Sequence, residues 1–172
     1  MTETVSIFRG RRGSMMLEFV LLVVTVIFLM LSVFEGSLLM WQYHTMAEAV
    51  QEGARYISAH GVNCTLNGNT CSVSVGTIAT YIGNQAVGLD TTRLNITLNS
   101  SGSTVSCAPL SSCNANAAIF PPSAYNAVGS SVQVVAAYPM NNPIVLFWPG
   151  AASITMGSPL TLGATSTQRI MF

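Results

Sequence analysis

Few side chains in this sequence could do acid–base or nucleophilic chemistry, and most of them precede Gly61. Beyond His60 the chain has no His, Glu or Lys, and Asp90 supplies its one side-chain carboxylate. General acid–base catalysis needs titratable groups within reach of one another, and a nucleophilic Ser needs a neighbouring His. The sequence therefore predicts that the chain is not an enzyme and that Asp90 caps a turn.

Metal binding is weakly supported by the spacing of the possible ligands. His44 and Glu48 stand four residues apart but lack the second His of an H-E-x-x-H motif. The four cysteines are Cys64, Cys71, Cys107 and Cys113. Their spacings, C-x6-C and C-x5-C, are wider than the C-x2–4-C spacing of the usual zinc knuckle. We expect no metal or other cofactor.

Disulfides are the preferred interpretation of these four cysteines, because all of them follow the apolar segment of the chain. Three pairings are possible for four cysteines. The nearest-neighbour pairing would join Cys64 to Cys71 and Cys107 to Cys113, and so close two loops rich in Gly, Asn and Ser. Such bonds form in an oxidising compartment.

Charge is scarce throughout the chain. Only 7% of the 172 residues are charged, half are hydrophobic, and the mean hydropathy is +0.52, whereas soluble domains average about 25% charged residues. Six Arg balance six acidic residues, and past Gly61 only Asp90, Arg93 and Arg169 are charged. Nucleic acid as a partner is therefore excluded, since phosphate binding depends on clustered Lys and Arg.

An apolar run near the N-terminus predicts a membrane-spanning helix over about residues 14–34. Phe19–Phe34 has only Thr25 and Ser32 as polar interruptions, and the residues before it complete the ~20 that a span needs. A basic cluster precedes the run, and no Lys or Arg follows it until Arg55; the cluster is Arg9, Arg11 and Arg12. The positive-inside rule then places the N-terminus in the cytoplasm and the C-terminal domain in the periplasm of a single-pass bacterial inner-membrane protein.

Glu18 is the informative residue of this segment. A carboxylate within a membrane helix costs roughly 2.5–3.5 kcal/mol on insertion scales and usually has a functional partner. An ordinary uncleaved signal anchor explains the basic cluster and the apolar run, but it leaves Glu18 unexplained. Gly13 lies five residues before Glu18, and Phe19 follows it directly.

These residues resemble a type IV prepilin leader, which a membrane peptidase cuts after Gly on the cytoplasmic side. The pair Glu18-Phe19 resembles the Glu-Tyr or Glu-Phe pair that is found in the tight-adherence (Flp) branch of these pilins. Gln51–Tyr56, with the sequence QEGARY, resembles the "REGARY" that ends the long helix of TadE-like minor pseudopilins; Gln51 departs from it, since the family often has Arg there. The resemblance covers about the first 60 residues.

The resemblance implies processing after Gly13, which would remove the basic cluster and leave Ser14 with a free amine. The amine of one subunit and Glu18 of its neighbour could then neutralise each other, which would relieve the cost of burying both charges. The implied function is a minor pilin-like subunit that helps assemble a tight-adherence type IV pilus and supports adhesion and surface colonisation, with final residence on the surface pilus after assembly. The alternative is a signal-anchored periplasmic binding or scaffolding protein that enters no filament.

The partners implied are other pilin and pseudopilin subunits, the prepilin peptidase, the inner-membrane assembly platform and membrane lipid. Within this scheme residues 1–13 form a cytoplasmic leader, residues 14–60 one long helix, and residues 61–172 an extracytoplasmic domain. Half of the helix spans the membrane and half projects outside.

The projecting half carries one apolar stripe with helical spacing, formed by Leu39, Tyr43, Met46, Val50, Gly53 and Ile57. Gly61 is placed to end the helix. Past it, Ser72–Val87 reads as a short helix, capped by Ser72 or Ser74. Alternation predicts three strands, namely Arg93–Asn99, Ser131–Tyr138 and Leu160–Ile170. We interpret Ser100–Asn126 as a loop and Pro143–Pro149 as a buried or lipid-touching connection. The predicted fold is α+β, with a short helix packed on an antiparallel sheet of about three strands.

Overall fold

The computed structural model describes residues 11–61, 71, 73–140 and 161–171. The chain divides into two compact units, Met1–Leu39 and Met40–Phe172. The predicted α+β class is confirmed: a long N-terminal helix is followed by a small domain with a short helix and an antiparallel sheet. This sheet has four strands instead of three.

The first helix, α1, runs from Arg11 to Ser58 without a break. In the second unit its buried stripe contains Met46, Val50, Gly53 and Ile57, as the spacing predicts. Tyr43 was predicted to belong to the stripe and is instead 41% exposed. The helix ends three residues before Gly61, which is buried.

The second helix, α2, is shorter than predicted and spans Val75–Gln85. It begins after Ser74, one of the two predicted caps, whose hydroxyl accepts a hydrogen bond from the amide of Thr77 at 3.2 Å. This bond satisfies one of the first-turn amides that no helical carbonyl can reach. The buried face of α2 joins the core, and its residues are Val75, Gly76, Ile78, Ala79 and Ile82.

The sheet is fully antiparallel, with the strand order β2-β1-β3-β4. Its strands are β1 (Asn95–Ser100), β2 (Ser103–Cys107), β3 (Ser131–Pro139) and β4 (Thr161–Arg169). Strand β2 lies inside the segment predicted to be a loop, so that prediction was wrong there. Its sequence, STVSC, has only Val105 as a large apolar residue, too little for period-2 alternation to be recognised.

The two faces of the sheet differ as alternation requires. One face shares a hydrophobic core with α1 and α2, to which β1 and β3 contribute Ile96, Leu98, Val132, Val134, Ala136 and Tyr138. The other face is polar and carries a row of side-chain hydrogen bonds across three strands. Asn99 donates to Gln133 at 3.2 Å, and Gln133 donates to Thr167 at 3.3 Å.

A disulfide joins Cys107 at the end of β2 to Cys113, as the nearest-neighbour pairing predicts. Both sulfurs belong to buried residues of the core. Cys71 is also disulfide-bonded. Cys64 and the predicted connection Pro143–Pro149 lie outside the described residues.

Candidate functional site

The first unit is the apolar part of α1. From Met15 to Leu39 most of its large apolar side chains are exposed. A water-soluble helix buries its apolar face, whereas a helix that is apolar all round is suited to a lipid environment. By length and composition this helix can cross a membrane, and it is the one such helix among the described residues. It is therefore a candidate membrane anchor.

Glu18 lies exposed on this apolar helix. Within the described part of the chain, its carboxylate makes no hydrogen bond or ion pair. Among the described residues, nothing therefore compensates the charge of Glu18. Phe19, which follows it, is 67% exposed.

The predicted processing residues lie at the start of α1. Gly13 and Ser14 belong to the first turns of the helix, as do Arg11 and Arg12, while Arg9 lies outside the described residues. Ser14 precedes Glu18 by four residues, so about one helical turn separates them along the axis. The roles of Gly13, Ser14 and Glu18 in processing and assembly stay predictions.

The QEGARY segment of α1 has a structural role in the second unit. Its charged pair lies on the surface. Arg55 donates a hydrogen bond to Glu52 at 2.9 Å, and the side chains of Arg55 and Glu52 are 59% and 36% exposed. Exposed pairs of this kind contribute about 0–1 kcal/mol. The uncharged residues Gly53, Ala54 and Tyr56 contribute to the packing of the domain.

Gly53 lies where α1 packs closely against Ile82 of α2. A Cβ at position 53 would lie 2.6 Å from Cγ1 of Ile82, so the two helices can be this close only because Gly53 has no side chain. Ala54 beside it is completely buried. Gly53 therefore allows the close packing of α1 on Ile82, and Ala54 belongs to the buried core.

Tyr56 stacks its ring on Tyr81 of α2, with the ring centroids 4.4 Å apart and the planes 17° from parallel. The ring of His60 lies 4.4 Å from Tyr56 on a tilted plane. Beyond the end of α2, Gly88 adjoins the ring of Trp41. Tyr56 and Gly53 of α1 thus face Tyr81 and Ile82 of α2.

The sequence pattern did not predict these packing roles of Gly53, Ala54 and Tyr56, since the motif indicated only a family resemblance. A glycine and an alanine on the buried stripe of an amphipathic helix do indicate a close helix–helix contact, but the partner helix was not identifiable from spacing. The structure supplies that partner as α2.

Asp90 caps the turn between α2 and β1, as predicted. Its Oδ1 accepts hydrogen bonds from the Thr92 hydroxyl at 2.7 Å and the Thr92 amide at 2.9 Å. These bonds, with a smaller contribution from the charge of Arg93, hold the pKa of Asp90 below its ordinary value. The carboxylate is fully exposed, and it has a local structural role.

No group of three or more His, Cys, Asp or Glu side chains that could hold a metal occurs among the described residues. His44 and Glu48 are exposed on α1. The described residues thus provide a candidate membrane helix with Glu18 near its start and Glu35 near its end, and a separate domain that contains the C-terminal part of α1.

Comparison with known families tests the resemblance. Residues 13–55 match the TadE-like protein family model. The resemblance inferred from the sequence is confirmed over this segment, which begins at Gly13 and includes Glu18. The TadE-like match associates the chain with the tight-adherence pilus system, and that family is typically structural. No curated protein and no solved structure gives a significant match to the chain.

The TadE-like segment coincides with α1 nearly to its end, since the helix stops at Ser58. It contains the candidate membrane anchor and the motif that packs α2 onto α1. The domain built from α2 and the four strands follows it.

Proposed function

We propose that the protein is a minor pseudopilin that takes part in assembling a tight-adherence type IV pilus. The observation that carries this proposal is the extent of the TadE-like match, which starts at Gly13 and takes in Glu18 and the whole apolar segment. A plain signal anchor needs an apolar helix and flanking Arg residues, and it has no use for a carboxylate on the lipid-facing surface.

The physical basis is charge compensation in a medium of low dielectric. Cleavage after Gly13 would remove the Arg residues and create an ammonium group on Ser14, near the membrane depth of Glu18. An unpaired charge there is costly, and a partner of opposite sign offsets part of that cost. Because Glu18 has no partner among the described residues, the Ser14 ammonium of an adjacent subunit can supply one on assembly.

The partners in this scheme are the prepilin peptidase, other pilin and pseudopilin subunits, and the assembly platform of the inner membrane. The Arg cluster keeps the N-terminus in the cytoplasm, and the four-stranded domain lies in the periplasm, where its disulfides can form. Adhesion and surface colonisation follow from the assembled pilus at the cell surface, in which the subunit then resides.

Substitution of Glu18 tests the proposal, with Glu35→Gln as the matched control on the same helix. Loss of about 1.4 kcal/mol of pairing changes an equilibrium tenfold, so we expect at least about tenfold fewer Glu18→Gln subunits in sheared filaments. Glu18→Asp keeps the charge and is expected to retain more incorporation. Quantitative immunoblotting of filament and membrane fractions gives the ratio.

Equal incorporation of Glu18→Gln, Glu35→Gln and the wild-type chain would contradict the proposal. If the wild-type chain stays in the membrane fraction while filaments form normally, the protein is a tethered periplasmic binding or scaffolding protein instead.

A further inference from the structure

The outward face of α2 carries hydroxyl, phenol and amide groups and no charge. Four residues share this face with the spacing i, i+3, i+4 and i+7, namely Thr77, Thr80, Tyr81 and Asn84. Tyr81 is half-buried, and the other three are exposed. Because no charged residue occurs in Val75–Gln85, the helix presents a neutral polar stripe at the surface of the domain.

A cavity of about 410 Å³, here called the α2 cavity, lies at this stripe. Besides the four residues of the stripe, Tyr56 of α1 and Asn114 line it. Its volume falls within the roughly 300–1,000 Å³ of small-molecule sites. All of the lining residues belong to the second unit, and none of them is charged.

Contacts within the domain hold the lining of the cavity in place. Tyr56 is stacked on Tyr81, with the ring centroids 4.4 Å apart. The segment that contains Asn114 is bound to the start of α2, because the amide of Gly76 donates to the carbonyl of Asn116 at 2.8 Å. A Cβ at position 76 would lie 2.5 Å from the carbonyl oxygen of Asn114, so this close approach requires glycine. The α2 cavity is thus a preformed part of the fold, which lowers the entropic cost of binding a ligand.

Two amide side chains of the α2 cavity are available to a ligand. Among the described residues, the side chains of Asn84 and Asn114 make no hydrogen bond, and neither does the phenol of Tyr81. The Thr77 hydroxyl is already shared with that of Ser74 at 2.9 Å. Since each amide can donate and accept hydrogen bonds, the cavity suits a neutral ligand that carries both donors and acceptors.

We propose that the α2 cavity binds one unit of a neutral saccharide. The hydroxyl groups of a sugar both donate and accept, as the two amides require, and its C–H groups pack against aromatic rings such as Tyr81. A charged ligand would find no counter-charge among the lining residues. Peptide recognition commonly uses a strand edge or apolar anchors, whereas no Val, Leu, Ile or Met lines the cavity among the described residues. The inference concerns the second unit alone and is independent of the pilus function.

Sugar binding by the full chain tests the proposal. The protein is kept in lauryldimethylamine oxide, a detergent without a sugar headgroup, and saturation-transfer NMR titrations give dissociation constants. The probes are the methyl glycosides of glucose, galactose, mannose and N-acetylglucosamine, with sialic acid as an anionic sugar and acetyl-trialanine amide as an uncharged peptide. We expect at least one glycoside to bind, and to bind more tightly than sialic acid or the peptide.

Substitutions at neighbouring positions assign the binding to the α2 cavity. Asn84→Ala and Asn114→Ala each remove one hydrogen-bonding group, and each is expected to weaken binding about two- to tenfold. Gln85→Ala is the matched control, because Gln85 is exposed beside Asn84 and does not line the cavity; its affinity is expected to equal that of the wild-type chain. Near-ultraviolet circular dichroism checks that each variant is folded. Absence of binding by all four glycosides, equal affinities of the two Asn variants and Gln85→Ala, or tighter binding of sialic acid or the peptide than of every glycoside would overturn the proposal.

Discussion

Gly53 is the residue on which the packing of α1 against α2 depends most directly. In Gly53→Ala the added Cβ meets Ile82 at 2.6 Å, so the helices or the Ile82 side chain have to shift. Overpacking of this kind costs about 1–3 kcal/mol. We expect the unfolding midpoint of the full chain in detergent, followed by near-ultraviolet circular dichroism, to fall accordingly.

Gly83 in α2 is the matched control for this substitution. A Cβ there would meet Thr91 and Leu110 at 3.6 and 3.7 Å, ordinary contact distances. Replacing a helical glycine by alanine at such a site gains roughly 0.5–1 kcal/mol, so Gly83→Ala is expected to raise the midpoint. A loss of stability in Gly83→Ala as large as that in Gly53→Ala would contradict this account of the contact.

Asp90 makes a pH-dependent contribution whose sign follows from its lowered pKa. A carboxyl group with a folded pKa below its unfolded pKa stabilises the fold above the unfolded value, about 3.9, and loses this effect as the pH falls through the folded value. We expect Asp90→Asn to be less stable than the wild-type chain near pH 7.

This difference is expected to shrink in acid, at a pH below the folded pKa of Asp90. Denaturant midpoints of both chains, measured near neutrality and in strong acid, give the comparison. Thr92→Val, which removes the hydroxyl that lowers this pKa most, is expected to show the same trend. A difference that does not change with pH would contradict the assignment.

The sequence was sufficient for residues whose role is local or is carried by a short motif. Ser74 and Asp90 were predicted as caps from their type and position, because capping involves only neighbouring residues. Glu18 stood out because a charge in an apolar run is conspicuous. The contacts of Gly53 and Tyr56 were not predictable, since they depend on which distant residues of α2 come opposite them.

At the scale of elements, the disulfide between Cys107 and Cys113 fixes the end of β2 to the segment after it. Closing a loop of this length removes entropy from the unfolded chain worth about 2 kcal/mol in the chain-entropy model. We expect Cys107→Ala combined with Cys113→Ala to lose about that much stability, measured from denaturant midpoints of the full chain without reductant.

The reduced wild-type chain is the comparison for this double variant. Reduction breaks the Cys107–Cys113 disulfide and also the disulfide of Cys71. The wild-type chain is therefore expected to lose at least as much stability on reduction as the double variant loses by substitution. An unchanged midpoint in the double variant would show that this disulfide is not a stabilising element.

Elements with a clear apolar period were predictable from the sequence, including the short helix α2 and the six-residue strand β1, whereas the polar strand β2 was not. Helix α1 and strand β3 have clear apolar periods and appear within a few residues of their predicted bounds. Strand β2 was not predicted because a polar five-residue strand is defined by its pairing with a neighbouring strand. Here the partner is β1, with Ile96 opposite Cys107 at one end and Ser100 opposite Ser103 at the other. Pairing is a non-local property that single-sequence alternation does not record.

At the scale of the whole molecule, the chain combines an apolar helix, a single acidic residue near its start, and a small disulfide-bonded domain. The association with the tight-adherence pilus system rests on the match over residues 13–55. What separates a pseudopilin from a tethered domain is therefore the processing of the N-terminus.

The intact mass of the protein extracted from its native membrane tests this central claim most directly. The account predicts a chain that begins at Ser14, which lacks Arg9, Arg11 and Arg12 and carries the ammonium group that compensates Glu18. The chain in the same extract from cells without the prepilin peptidase is expected to begin at Met1 or Thr2 and so to retain the Arg cluster. A mature chain that begins at Met1 or Thr2 in cells with an active peptidase would contradict the account.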